Sequence, residues 1–174
     1  MAVTEWSLEM PDPSALRPRP SPSENVRFVQ VHEGKAVLSA RLYSEVGSHW
    51  YWTDRAQWAE QQWAAWTDRP EHHLFVVEVV AENVAEVAPE ICGYVELEQQ
   101  GSSVEISYFG LLAAHMGAGI GGWLLTCGVE QAWALPGVER VWVHTCSLDA
   151  PAALANYLAR GFQIVGTRIY PAGQ

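Results

Sequence analysis

The chain has 174 residues, close to one ordinary domain, and 49% of them are apolar or aromatic while 17% are charged, proportions that supply a packed core and exclude a disordered chain. Twenty acidic residues against ten Lys and Arg give a formal charge of -10, which argues against a nucleic-acid binder built on phosphate contacts. The same excess serves solubility and would also favour a cationic or amine substrate.

The opening MAVTEWSLEM has neither a basic start nor an apolar run of secretory length. No stretch of about 18 apolar residues occurs, so neither an export signal nor a membrane span is expected. Residues 10–23, MPDPSALRPRPSPS, hold five of the ten prolines and lack the amide donors that a helix or inner strand needs. Residues 1–25 therefore read as a proline-rich extension over the surface, and 26–174 as the domain. VRFVQV then has strand character, and GKAVLSARLYSEVG places Val37, Leu38, Leu42 and Val46 at helical spacing. A second helix is expected within TDRAQWAEQQWAAWTDRP, capped by Thr53 or Asp54 and stopped before Pro70.

HLFVVEVV (73–80) and ICGYVELE (91–98) read as an antiparallel pair joined by a polar, Ala-rich connection ending in Pro89. SVEISYFGLL (103–112) follows the turn at Gly101. AHMGAGIGG leads into the helix WLLTCGVEQAWAL, stopped by Pro136 and Gly137. VERVWVHTC, APAALANYLAR and FQIVGTRIY then read as strand, helix and closing strand. The three cysteines, Cys92, Cys127 and Cys146, stand far apart without a Cys-x-x-Cys pair. Neither a disulfide framework nor a structural zinc is expected, and a reducing cytoplasm fits. His72 and His73 are adjacent and have no metal-site spacing, so no metal is expected.

The strand running into Gly117, Gly119, Gly121 and Gly122 and then into a helix is a device for holding a phosphate. Glycine lets backbone N–H groups turn inward at the positive end of the helix; close helix–sheet packing would also ask for glycine there. A P-loop would need Gly-Lys-Ser/Thr, and Gly121 is followed by Gly122 and Trp123. Gly117, Gly119 and Gly122 do fit G-x-G-x-x-G, which keeps a dinucleotide-binding oxidoreductase as an alternative. The three strands before the loop, however, are not those of a strand opening a βαβ unit.

Over about residues 26–170 the order of elements resembles the GNAT superfamily of acyl-CoA N-acyltransferases. Met116, Gly117, Ala118, Gly119, Ile120 and Gly121 occupy that family's [Gln/Arg]-x-x-Gly-x-[Gly/Ala] motif, lacking only its first residue. Tyr157 to Phe162 match its Tyr-x-x-x-Gly-Phe. The segment from VEISYFGLL to HTCSLDAPAALANYLARGF is similar to a bacterial subgroup of unidentified acceptor. The resemblance implies an α/β fold: a mixed, mostly antiparallel sheet of six or seven strands, splayed centrally, with helices on both faces. It implies acetyl-CoA as co-substrate and a small-molecule or protein amine as acceptor, with direct attack of the amine.

It also implies roles for individual residues. Gly117 to Gly122 would hold the pyrophosphate. Gly110, Leu111 and Leu112 would hold the pantetheine and thioester on a strand end that Gly110 lets bulge, its N–H groups facing the carbonyl. Tyr157 would protonate the leaving thiolate, and its alternative is a core residue with its hydroxyl at the rim. Glu105, eleven positions before Met116, would take the acceptor's proton, with His144 the rival base.

Met116 supplies no charge, and no Lys or Arg occurs from Pro70 to Glu139, so backbone amides are expected to hold the phosphates, with His115 able to add a charge when protonated. Ala150 stands where the family often has Asn, and Asp149 or Asn156 would take over that contact. Met116 and Ala150 keep a non-catalytic acyl-CoA-binding or sensing module as a further alternative. Trp50, Tyr51 and Trp52 are three consecutive large rings that cannot all face one core, so some line a cleft. With Asp54 they would hold a cationic or aromatic acceptor, while a lid or a homodimer contact is the alternative use.

Overall fold

The computed structural model describes residues 2–81 and 88–171. Strand β3 (His72–Val79) shows how the layers arise, because alternation sends Leu74 and Val76 to one face and Phe75 and Val77 to the other, and all four are buried. Both faces must therefore be covered. Leu74 and Val76 join Tyr94 of β4 (Glu90–Gln100) under Leu42 and Val46 of α1 (Lys35–Gly47), beside α2 (Glu60–Thr67). Phe75 and Val77 join Ile106 of β5 (Ser103–Leu111) under Leu124, Leu125 and Val129 of α3 (Ile120–Ala134) and Tyr157 of α4 (Ala153–Ala159).

With β1 (Ala2–Met10), β2 (Val26–Val31), β6 (Arg140–Cys146) and β7 (Gln163–Pro171), the described residues make a seven-stranded sheet in the order β2-β3-β4-β5-β6-β1-β7. Neighbours are antiparallel except β5 and β6, which run parallel and pair only from Ser103–Glu105 to Arg140–Trp142. Beyond Glu105 these two strands part. The mixed, centrally splayed α/β sheet expected from the sequence is the one found.

Three expectations change. Ala2–Met10 lies inside the sheet, antiparallel to both β6 and β7, so the first ten residues are not an extension. Val3, Leu8 and Met10 are buried there, and Trp6, Leu8 and Met10 alternate with Ser7 and Glu9 as a strand requires. Only the proline-rich stretch after it runs over the surface. The second helix begins at Glu60 and not near Thr53, because Gln62 Oε1 accepts from the Ala59 N–H at 2.9 Å and Asp54 is engaged elsewhere. Finally, β5, α3 and β6 do form a parallel crossover unit. The connection before Pro89 lies mostly outside the described residues. Among the described residues no helix is long and apolar enough to cross a membrane.

Candidate active site

A cavity of about 1490 Å³ opens where β5 and β6 diverge. The glycine loop closes one end of it and the connection between α1 and α2 lies at the other.

At the loop end, Gly117 and Gly119 have φ of +80° and +78°, left-handed values that a side chain adopts only with strain. Gly119 caps α3 with no side-chain hydrogen bond, so the first-turn N–H groups of the helix are left for an outside acceptor. Gly117, Gly119, Gly121 and Gly122 line the cavity, as do Met116, Gly110, Leu111 and Asn156. Ala118, Ile120 and Leu112 do not; Ile120 is buried in the core.

Side chains do reach this loop, against the expectation of backbone amides alone. A Cβ built on Gly122 would stand 2.5 Å from Arg160 Nη1 and 2.7 Å from Arg19 Cδ. The backbone N–H of Arg19 donates to Thr126 Oγ1 at 3.0 Å, and Thr126 Oγ1 donates to Gly122 O at 2.8 Å. Arg160 Nε donates to Arg17 O at 2.9 Å, the Arg17 N–H donates to Arg160 O at 2.9 Å, and Arg160 Nη1 donates to Asn156 Oδ1 at 3.3 Å. Burial lowers the Arg160 pKa, and the neighbouring Arg19 charge lowers it further.

Arg160 was visible inside the Tyr-x-x-x-Gly-Phe motif. Nothing in the sequence connected Arg19 with Thr126, 107 positions away. His115 is not at the loop's service, since its Nε2 lies 3.0 Å from Glu90 Oε1. Asn156 donates to Gly121 O at 3.2 Å. Asp149 accepts from Trp52 Nε1 at 3.2 Å, Thr145 Oγ1 at 2.6 Å and the Cys146 N–H at 3.1 Å.

In the middle of the cleft, the edge of β5 beyond Glu105 has no strand partner on the β6 side. The register against β4 slips between Glu96 and Leu97, which face Tyr108 and Ile106, so the bulged residue is Ser107 and not Gly110. Gly110 is small for another reason: a Cβ there would collide with Val46. Tyr157 is 5% exposed and lines the cavity, its ring 6.0 Å from Phe109 and 5.9 Å from Phe162. Burial pushes its phenol pKa well up, with the Asp149 charge adding to the effect, so the hydroxyl keeps its proton.

At the far end the two rival bases are one pair, His144 Nδ1 lying 3.3 Å from Glu105 Oε1. Gln100 Nε2 donates to the other carboxylate oxygen at 2.8 Å. That contact with Glu105 raises the His144 pKa against the opposing effect of burial, and Glu5 and Asp149 add to it. All three consecutive rings line the cavity. Trp52 packs on Tyr43 and Tyr108 at 5.5 and 5.2 Å, whereas Tyr51 is 72% exposed with φ +58°.

Asp54 accepts from Tyr43 at 2.7 Å and also from Tyr108. Arg55 is enclosed by Trp66, Trp58 and Tyr108 at 3.7, 4.5 and 4.5 Å. Behind it the wholly buried Glu96 accepts from Trp66 Nε1 at 3.0 Å and sits 3.1 Å from His72 Nε2. Burial alone would raise the Glu96 pKa, but these partners hold it below the ordinary value.

The sequence model described as "Acetyltransferase (GNAT) family" matches residues 39–162. No curated protein matches the chain. Among solved structures, a GCN5-related N-acetyltransferase from Sphaerobacter thermophilus superposes with a TM-score of 0.69 at 16% identity, over 97% of this chain and 50% of that one. One from Kribbella flavida does so with a TM-score of 0.64 at 16% identity, over 94% and 55%. An aminoglycoside acetyltransferase from an uncultured soil metagenomic sample, in complex with trehalose, gives 0.62 at 16% identity, over 80% and 90%. The chain thus spans about half the length of the first two and most of the third.

Proposed function

The chain belongs to the GNAT acetyltransferase family, and we propose that it transfers the acetyl group of acetyl-CoA to a primary amine by direct attack. The observation that carries this reading is the continuity of one cavity from the glycine loop, past the unpartnered edge of β5 and Tyr157, to the Glu105–His144 pair. The residues at the loop end fit a nucleotide diphosphate: a helix N-terminus without a side-chain cap, left-handed Gly117 and Gly119, a Gly122 whose Cβ would crowd the arginines, and two guanidinium groups. Acetyl-CoA, when bound, brings the activated acyl group.

The chain's own residues then have separate tasks. Amides on the free edge of β5, those of Phe109 and Leu111 by the alternation of the ladder with β4, stabilise negative charge on the acyl oxygen, an effect worth roughly 3 to 4 kcal/mol per donor in comparable sites. Tyr157, kept protonated by burial, gives its proton to the departing sulfur. Glu105 takes the proton that the incoming ammonium must lose before its nitrogen can attack, directly or through one water, with His144 in contact beside it at 3.3 Å. Trp50, Tyr51 and Trp52 flank the entry for the amine.

We take residues 2–171 as one catalytic unit, since β1 completes the sheet, and a reducing compartment suits its three free thiols. Calorimetry with acetyl-CoA and with NAD(H), followed by an amine panel read out by thiol release, tests the proposal. Binding of acetyl-CoA together with amine-dependent thiol release is expected. Preference for NAD(H), or acetyl-CoA binding without turnover on any amine, overturns it.

A further inference from the structure

The proline-rich stretch between β1 and β2 is exposed along most of its length, and a segment of that kind ordinarily has no fixed course. Here it is tied down at two points beside the glycine loop. Arg17 exchanges hydrogen bonds with Arg160 in both directions, the backbone N–H of one and the guanidinium of the other each donating at 2.9 Å. Two residues later the Arg19 N–H donates to Thr126 Oγ1, a buried hydroxyl inside α3.

These anchors bring the Arg19 side chain over the first turn of α3. Its Nη2 would be 3.9 Å from a Cβ on Gly119 and its Cδ 2.7 Å from one on Gly122, on the side where Arg160 Nη1 also sits. Both guanidinium groups line the cleft. Among the described residues neither has a carboxylate within ion-pair distance, although five of the other arginines, Arg41, Arg55, Arg69, Arg140 and Arg168, do.

Two like charges held together at the positive end of a helix repel each other and the helix dipole. An arrangement of this kind is stable in company with an anion of at least two charges, and its forked donors suit phosphate oxygens. The motif residue that would ordinarily carry polar contacts here is Met116, which is 43% exposed and brings no donor.

We propose that Arg19, delivered by the proline-rich strap, and Arg160 together clamp the diphosphate of coenzyme A and replace the donor that Met116 lacks. The strap is thereby part of the co-substrate site. This inference rests on the acetyl-CoA reading above and adds to it a specificity-determining residue from outside the matched family segment, which starts at residue 39.

The test is calorimetry of the full chain and of Arg19→Ala with two probes, CoA and dephospho-CoA, at low and moderate salt. Arg19→Ala keeps the backbone anchor to Thr126. It is expected to weaken both probes by about tenfold, the usual worth of one charge-assisted contact, and to flatten the salt dependence of binding. Arg19→Lys is expected to recover part of the loss, since it restores charge without the fork.

In the unmodified chain, CoA is expected to slow hydrogen exchange at the Arg17 and Arg19 amides, a readout that does not depend on a variant folding. Equal affinity of Arg19→Ala and the unmodified chain, or unchanged exchange at both amides, overturns the proposal while CoA binding itself keeps the family reading intact. A loss confined to CoA, with dephospho-CoA unaffected, assigns Arg19 to the ribose phosphate and overturns the diphosphate clamp. No binding of either probe to the unmodified chain overturns the underlying reading instead.

Discussion

The two ends of the cleft carry opposite charge and are built in different ways. At the glycine-loop end, backbone conformation does most of the work: left-handed Gly117 and Gly119 aim the start of α3 outward, and the two arginines arrive from distant segments. Those cations are unpaired among the described residues. At the other end the charges described above already have partners within the protein, Glu105 with His144, Asp54 with two tyrosines, and Arg55 within its ring of aromatics and near Glu96. An end with unpaired charge is prepared for a ligand of fixed charge. An end whose charges are already paired within the protein offers a ligand no bare charge.

Changes at the boundary and at each end separate these roles. Tyr157→Phe removes one oxygen at the boundary and is expected to lower kcat by about a hundredfold or more, with KM for acetyl-CoA within about twofold; steady-state kinetics decides, and a KM effect without a kcat effect would move Tyr157 to the binding end. Glu105→Gln is expected to lower kcat/KM for the amine by about tenfold to a hundredfold and to leave CoA affinity unchanged.

The same variant tests the electrostatics of the pair. His144 has a raised folded pKa, so the pair's contribution to stability is fully present below about pH 6.5 and is lost as the pH rises through the raised value. Glu105→Gln removes the main cause, and the imidazole signals of His144 in an NMR titration should move to lower pH. An unmoved titration would separate the two residues.

At the glycine-loop end, a Cβ on Gly122 meets only side-chain atoms of two flexible arginines, Arg160 Nη1 and Arg19 Cδ, and no backbone. Gly122→Ala should therefore fold normally and weaken CoA binding several-fold, by calorimetry, as the guanidiniums are pushed aside; roughly 1 kcal/mol of lost charge–dipole contact corresponds to that change. The smallest effect is expected at Tyr51. Its left-handed backbone costs roughly 1 to 2 kcal/mol, so Tyr51→Gly should leave the melting temperature unchanged or slightly higher while KM for the amine rises. Tyr51→Ala keeps the strain and should not gain stability.

Much of this molecule can be read from its residues. Six of the seven strands announce themselves as β-branched or alternating runs bounded by turn residues, and the helix after the glycine loop is set by its apolar spacing and by Pro136. The motif pair around Gly119 and Tyr157 is equally legible, because backbone turns and motif spacings are local properties. β1 alternates as well, at Trp6, Leu8 and Met10, but residues 2–10 pair with strands from the other end of the chain, and no local pattern encodes a distant partner. The bulge at Ser107 escaped for a related reason, since it is a mismatch of register between two strands and not a feature of one.

The rest depended on where long-range contacts bring side chains. Tyr157, Glu105 and the glycine loop could be named from the sequence alone, since each sits in a short pattern with its own chemistry. That Glu105 and His144 are one pair rather than two rivals, that Asp149 is spent on Trp52, and that Arg19 crosses to the first turn of α3 were decided only by the folded chain. Hydrogen bonds and charge contacts act over a few ångströms in space, whatever the separation along the chain, and only tertiary packing determines which groups come within that reach.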